Sequence, residues 1–156
     1  MAAETADLRR RPDEGIYPHM EDDLICLATS LRRAAARATG IYNRHMAPSG
    51  LTVTMFRQLT VIRDRPDASI TELAAALDLD RSTLGRNLRV LQRQGLIKFG
   101  GGRDDRSASV ALTDEAQAAY DRALPHWQAA QDEIAARLEG RTDWLLDLPG
   151  NLAEEA

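Results

Sequence analysis

The chain has 156 residues, 44% of them hydrophobic, with a net charge of −4 and one cysteine, Cys26. That is an ordinary length for one domain with a real core, and it excludes a disulfide framework and a uniformly basic nucleic-acid binder. No apolar run approaches the roughly 20 residues of a membrane span and the first residues lack the apolar stretch of a signal peptide, so a soluble, cytoplasmic protein without membrane contact is expected.

Residues 1–19 mix charges with Pro12, Gly15 and Pro18 and show no periodicity, which predicts a flexible N-terminal arm. Its run Arg9, Arg10, Arg11 reads as solvated charge, with contact to DNA phosphates as the alternative. Residues 20–156 read as a single domain. A long helix is predicted from Met20 to about Met46, with Glu21, Asp22 and Asp23 at its positive dipole end. Leu24, Leu27, Ala28, Leu31, Ala34, Ala35, Ala38 and Ile41 give it a wide, alanine-rich apolar face that needs a partner helix. Pro48, Ser49 and Gly50 end it. A second helix follows from about Thr52 to Arg63, with Val53, Phe56, Leu59, Val61 and Ile62 apolar, and residues 64–68 form a turn.

Ser69 and Glu72 make a capping box that opens a short helix with Ile70, Leu73, Ala74 and Leu77 on its apolar side. Residues 78–80 turn the chain, and Asp80 is an N-cap for the next helix. Along that helix Leu84, Leu88 and Leu91 form one apolar stripe, while Ser82, Arg86, Arg89 and Arg93 fall on the opposite side. Gly95 supplies the positive φ that stops it. Two short strands are predicted at 96–99 and 108–112, joined by a loop that begins with Gly100, Gly101 and Gly102 and carries Arg103 and Arg106 at its tip. The pair of helices is laid out as a helix-turn-helix, and with the hairpin it makes a winged helix over about residues 51–112. Thr113 is the N-cap of a long helix to about Leu138, with Asp114 and Glu115 in its first turn. Its buried side is marked by Ala116, Ala119, Tyr120, Ala123, Leu124, Trp127, Ile134 and Leu138. Pro125 is expected to kink it or leave one carbonyl without a partner. After Gly140, residues Trp144, Leu145, Leu146, Leu148 and Leu152 form a terminal apolar segment whose course is left open by Pro149 and Gly150.

The fold class is therefore mainly α with a small β-wing, and a winged helix needs no such long apolar helices at its flanks. Two copies of the segments at about 20–47 and 114–156 would bury one another in an intertwined homodimer. Charge is divided in the same way. Residues 81–106 carry seven basic side chains (Arg81, Arg86, Arg89, Arg93, Lys98, Arg103, Arg106) against Asp104 and Asp105, a balance of +5. Residues 107–156 carry ten acids against three arginines, a balance of −7. Phosphates respond to the local patch, since screening confines each charge to about 10 Å.

Arg86 is placed for a bidentate contact to guanine and Asn87 for adenine, while Arg89, Arg93 and Lys98 suit phosphates, which position without specifying sequence. Enzyme chemistry finds no support. His19, His45 and His126 have no metal-ligand spacing with one another or with Cys26, Gly100–Gly102 precede no helix and so form no phosphate loop, and no nucleophile–base pair is suggested. No cofactor and no metal are expected. The reading outside nucleic-acid binding is a winged helix used for protein–protein contact.

The residues resemble those of the MarR-type transcriptional regulators (multiple antibiotic resistance regulators). The resemblance rests on GLTVTMFRQL (50–59), ITELAAALDLDRSTLGRNLRVLQRQGLI (70–97) and the wing segment DDRSASVALT (104–113), and covers roughly residues 21–138. It implies a homodimeric winged-helix protein on a palindromic operator in double-stranded DNA, usually a repressor released by a small effector. It implies base or phosphate contacts for the positions of Ser82, Thr83, Arg86 and Asn87, and entry of Arg106 into the minor groove. Asp105 stands where the family pattern is often basic, and Asp104 is close enough in sequence to hold Arg106 extended. On the effector side, an aromatic or phenolic ligand between the dimer helices and the winged helix is the common family behaviour. The other possibility is a peroxide-sensing thiol at Cys26, because the family's hydroperoxide regulators carry a cysteine near there. Those hold the thiol with tyrosines where this chain has Ser30 and Gly40, and Tyr17 and Tyr42 are the candidate substitutes. The plain alternative is that Cys26 is a small apolar residue buried in the dimer interface.

Overall fold

The computed structural model describes residues 26–66, 68–101 and 108–153. The chain falls into two units, Met1–Arg37 and Ala38–Ala156. Helix α1 (Leu27–Met46) begins in the first and ends in the second. In the first unit the described residues are exposed, among them Leu27 and Leu31. The predicted N-terminal arm and the predicted first residues of α1 lie outside the described residues.

The second unit is built as its sequence directs. After a short 3-10 turn (Ala47–Ser49), Gly50 adopts φ 77°, a left-handed conformation that costs glycine no Cβ clash. Thr52 then caps α2 (Val53–Asp64) by accepting from the Met55 amide at 3.2 Å. The predicted capping box is present in α3 (Ile70–Ala76). The Ser69 hydroxyl accepts from the Glu72 amide, and the Glu72 carboxylate accepts from the Ser69 amide at 2.8 Å. The Ser69 amide, then the Ser69 hydroxyl, which also donates to the carboxylate at 2.7 Å, lowers the Glu72 pKa. The turn into α4 (Arg81–Arg93) passes through Asp78 at φ 54°, a conformation that asparagine and aspartate tolerate better than other non-glycine residues. Gly95, at φ 73°, ends that helix.

Strands β1 (Ile97–Gly101) and β2 (Ala108–Leu112) pair antiparallel, with Ile97 opposite Leu112 and Phe99 opposite Val110. Thr113 caps α5 (Asp114–Leu138), which is about 37 Å long at 1.5 Å per residue. Pro125 does not end α5. The carbonyl that it leaves without an amide partner belongs to Asp121, which is exposed, as Pro125 is, so water can satisfy it. Glu139 and Gly140, both left-handed, break the chain before α6 (Thr142–Asn151), which runs through Pro149.

The core is where the apolar stripes meet. Leu59, Leu84, Leu88 and Leu91 are wholly buried, and Ile62, Leu73, Ile97 and Val110 nearly so. Ala116, Ala119 and Ala123 bring α5 onto this core. Each buried leucine contributes about 1.5–3 kcal/mol. Leu124, expected on the buried side of α5, is 43% exposed, because the apolar face of α5 is wider than the core that it covers. Trp144, Leu145, Leu146 and Leu152 on or next to α6 are exposed as well. One polar side chain, Gln58, lies inside, and its Nε2 has no hydrogen-bond partner among the described residues. No helix among the described residues is long and apolar enough to cross a membrane.

Candidate nucleic-acid interface

Helix α4 carries its polar face on a buried base. With Leu84, Leu88 and Leu91 held in the core, Ser82, Arg86, Arg89 and Arg93 are exposed within an arc of about 60°. Thr83 and Asn87 flank them, half-buried, and Arg81 is exposed in the first turn. No carboxylate occurs between Arg81 and Lys98, and none of the five cations in that stretch makes an ion pair among the described residues. The face is therefore a strip of unneutralised positive charge on a rigid element.

Its N-terminal end is more ordered than a simple cap. One oxygen of the Asp80 carboxylate accepts from the Thr83 amide at 2.8 Å and from the Ser82 hydroxyl at 2.6 Å. The other accepts from the Thr83 hydroxyl at 2.6 Å. The Ser82 hydroxyl, then the Thr83 hydroxyl and amide, hold the Asp80 carboxyl far below the usual carboxylate range. Arg86 Nη2 donates in turn to Thr83 Oγ1 at 3.0 Å. Sequence reasoning found the cap but missed that it also holds both hydroxyls. The available signal was the pair of hydroxyl residues two and three positions after the aspartate.

The wing base is fixed to this helix through Thr113, whose hydroxyl donates to the Gly95 carbonyl at 2.7 Å. Lys98 is exposed on β1. Arg103, Asp104 and Arg106 lie outside the described residues.

A second feature lies where the end of α1, α2, α5 and α6 surround a cavity of about 740 Å³. One wall is aromatic. Phe56 stacks on Tyr120 with ring centroids 4.6 Å apart and on Trp127 at 5.8 Å. Arg57, Tyr42 and Leu145 also line it. The Tyr42 hydroxyl donates to Gln131 Oε1, and burial pushes its phenol pKa up. Arg63 lies 4.3 Å over the Tyr120 ring. Of the two residues expected at a redox or effector site, Tyr42 thus lines a cavity. Cys26 belongs to the other unit and stands exposed, with its thiol pKa lowered chiefly by a hydrogen bond with the Thr29 side chain.

The end of α1 is joined to α5 by a cluster that the sequence did not announce. Glu133 accepts from Arg44 at 2.7 Å and from Arg137 at 2.6 Å, and its Oε2 lies 2.5 Å from His45 Nε2. His45, then Arg44, lowers the Glu133 pKa to about 2. The pairs lie 88 and 89 residues apart, beyond any local spacing rule. Among the described residues no group of three His, Cys, Asp or Glu could hold a metal ion.

A helix-turn-helix with a two-stranded wing and a bare cationic face defines a winged-helix DNA-binding protein, and comparison with known proteins agrees. The chain is 37% identical to the M. tuberculosis transcriptional regulator MosR, solved in complex with DNA. That match covers 82% of this chain and 93% of MosR, at a TM-score of 0.75. It is 27% identical to the transcriptional repressor CouR bound to a 23-mer DNA duplex, over 85% of this chain and all of that one, at a TM-score of 0.73. A second CouR structure, bound to p-coumaroyl-CoA, matches at 28% identity over 84% of this chain and 94% of that one, at a TM-score of 0.74. A sequence profile of the MarR family matches residues 49–107. No curated protein sequence matches. The chain belongs to the MarR family of transcriptional regulators, which are DNA-binding proteins and not enzymes.

Proposed function

We propose that the protein is a homodimeric repressor that binds a pseudo-palindromic operator and is released by a small aromatic or phenolic effector. The observation that carries this reading is the carboxylate-free cationic face of α4, which stands on three wholly buried leucines. In this reading α4 enters the major groove, with Arg86 on a guanine and Asn87, Ser82 and Thr83 on neighbouring base edges or phosphates. Arg81, Arg89, Arg93 and Lys98 contact the backbone, and Arg103 and Arg106 reach the minor groove with Asp104 steadying Arg106. The dimer forms through the exposed apolar residues of α1 and α6, and places half-sites about one helical turn apart. The effector sits against the Phe56–Tyr120–Trp127 wall with its anionic end toward Arg57, in a cavity within the usual ligand range of about 300–1,000 Å³.

The test is genomic footprinting of the purified protein beside Arg86→Ala, with sedimentation at micromolar concentration. A set of pseudo-palindromic sites lost in the variant, and a dimer that Leu146→Asp weakens, are expected. A monomer, or retention on DNA that does not fall with rising salt, would leave the wing-mediated protein contact as the better reading. A hydroxybenzoate that quenches tryptophan fluorescence and releases the operator would establish the effector class.

One observation favours a second release mechanism. Cys26 is exposed and its thiol is shifted toward the reactive thiolate. If mild hydroperoxide frees the wild-type protein from DNA and leaves Cys26→Ser bound, the trigger is the thiol.

A further inference from the structure

The hydrogen bonds at the start of α4 assign a direction to its hydroxyls. A serine or threonine hydroxyl has one proton to donate and two lone pairs that accept. The Ser82 and Thr83 protons both point at Asp80, at the 2.6 Å typical of a hydroxyl on an ionised carboxylate. One Thr83 lone pair is further engaged by Arg86 at 3.0 Å. What Ser82 offers outward is therefore lone pairs alone.

We infer that Ser82 reads the exocyclic amino group of a base in the operator as a hydrogen-bond acceptor, and that Asp80 is the positioning residue that sets this polarity. The inference rests on the proposed docking of α4 in the major groove. A phosphate offers only acceptors, so Ser82 in this state has nothing to give it. Adenine N6 and cytosine N4 are the amino donors of the major groove, whereas guanine and thymine present carbonyl oxygens there. Arg86, steadied on one side by Thr83, keeps its remaining N–H groups for guanine O6 and N7. The start of the helix thus presents an acceptor and a donor four residues apart, matched to an amino-bearing base beside a guanine.

Asp80→Asn separates this role from the charge of Asp80. Asparagine caps as well as aspartate, and its oxygen can still accept from the Thr83 amide. Its NH2 group stands where the second carboxylate oxygen accepted from the Thr83 hydroxyl, so that hydroxyl must turn its proton away, while the retained oxygen still takes the Ser82 proton. The experiment selects bound sequences from a randomised duplex library with full-length wild type, Asp80→Asn and Ser82→Ala, and records melting curves of all three.

Wild type should prefer adenine or cytosine at one position per half-site, and the selected base says which amino group is read. Ser82→Ala should lose about fivefold in preference at that position and leave the others unchanged. Asp80→Asn, whose oxygen still takes the Ser82 proton, should keep that preference. Losing a charge, it should also bind random duplex somewhat more tightly. A guanine or thymine preference at the position that Ser82→Ala flattens overturns the inference, and so does a uniform loss across all sequences in Ser82→Ala, the mark of a phosphate contact. If Asp80→Asn melts well below wild type, the Ser82→Ala profile decides alone. A wild type that selects no sequence fails the proposed function itself and the inference with it.

Discussion

Thr113 holds two parts of the winged helix together with one hydroxyl, and its removal has a calculable effect. Its oxygen accepts from the Ala116 amide at 3.1 Å as the N-cap of α5. Its proton goes to the Gly95 carbonyl at 2.7 Å, just past the end of α4. Losing a threonine N-cap costs about 1 kcal/mol. The second bond is solvent-exposed and worth at most about 1 kcal/mol more. Thr113→Val keeps the shape and removes both, so a loss of about 1–2 kcal/mol is expected. For a chain of this size that lowers the melting temperature by roughly 3–6 °C. Thr113→Ser, which keeps the hydroxyl, should stay within about 0.5 kcal/mol of wild type. Melting should be followed at one fixed protein concentration, since self-association would make the midpoint concentration-dependent. If valine melts with wild type, or serine falls as far as valine, the methyl group and not the hydroxyl matters, and the reasoning fails.

Other substitutions probe the remaining features. Arg86→Ala should cost about 1–3 kcal/mol of specific binding and relax preference at one base per half-site, read by competition titration. Gln58→Met replaces the buried amide whose Nε2 lacks a partner among the described residues by an apolar chain of similar size, and should stabilise by about 1 kcal/mol in thermal unfolding. A marked loss would mean that a buried water serves the amide. Glu133→Gln should lower the melting temperature, with a characteristic pH dependence. Because the folded-state pKa of Glu133 is lowered from 4.5 to about 2, its contribution is present above pH 4.5 and fades as pH falls through about 2, so the two melting curves should converge on acidification. Curves that stay equally far apart down to pH 2 would remove the charge from the explanation.

Most of the fold was legible because its signals are local. The Ser69–Glu72 box, the Asp80 and Thr113 caps, the Gly50 and Gly95 stops and the Leu84–Leu88–Leu91 stripe all act within a few residues, and all appear where spacing puts them. What was not legible depends on contacts between distant segments. The Glu133 cluster joins side chains nearly ninety positions apart. Leu124 looked buried because the apolar face of α5 continues past the surface available to cover it. Pro149 left the last segment undecided because helix propensity disfavours it, while its exposed surroundings let water take the freed carbonyl. At the candidate site, the identities of the polar residues were readable, but their hydrogen-bond directions were not. Those depend on side-chain rotamers around Asp80, which no periodicity encodes.

A chain with net charge −4 that binds a polyanion must keep its cations where they are useful, and the two long helices of the second unit show how. On α5, Glu133 pairs with Arg137 four residues on and Glu115 with Arg122 seven residues on. An i,i+4 pair such as Glu133–Arg137 supports an exposed helix by about 0.2–0.5 kcal/mol. Helix α4 has three arginines on one face and forgoes every such pair, since its sequence contains no acid. Its stability comes instead from the Asp80 cap and the three buried leucines, neither of which neutralises the exposed guanidiniums. The cap carboxylate, Asp80, is turned to hydroxyl and amide donors and not to an arginine. Salt offers a direct check on this division. Specific binding should weaken steeply with ionic strength in proportion to the cations of α4 and β1, and adding a carboxylate four residues from Arg89, as in Gly85→Glu, should reduce that slope. Space is no obstacle, because a Cβ at Gly85 meets nothing within 4 Å. A slope unchanged by Gly85→Glu would mean that Arg89 is not among the phosphate contacts.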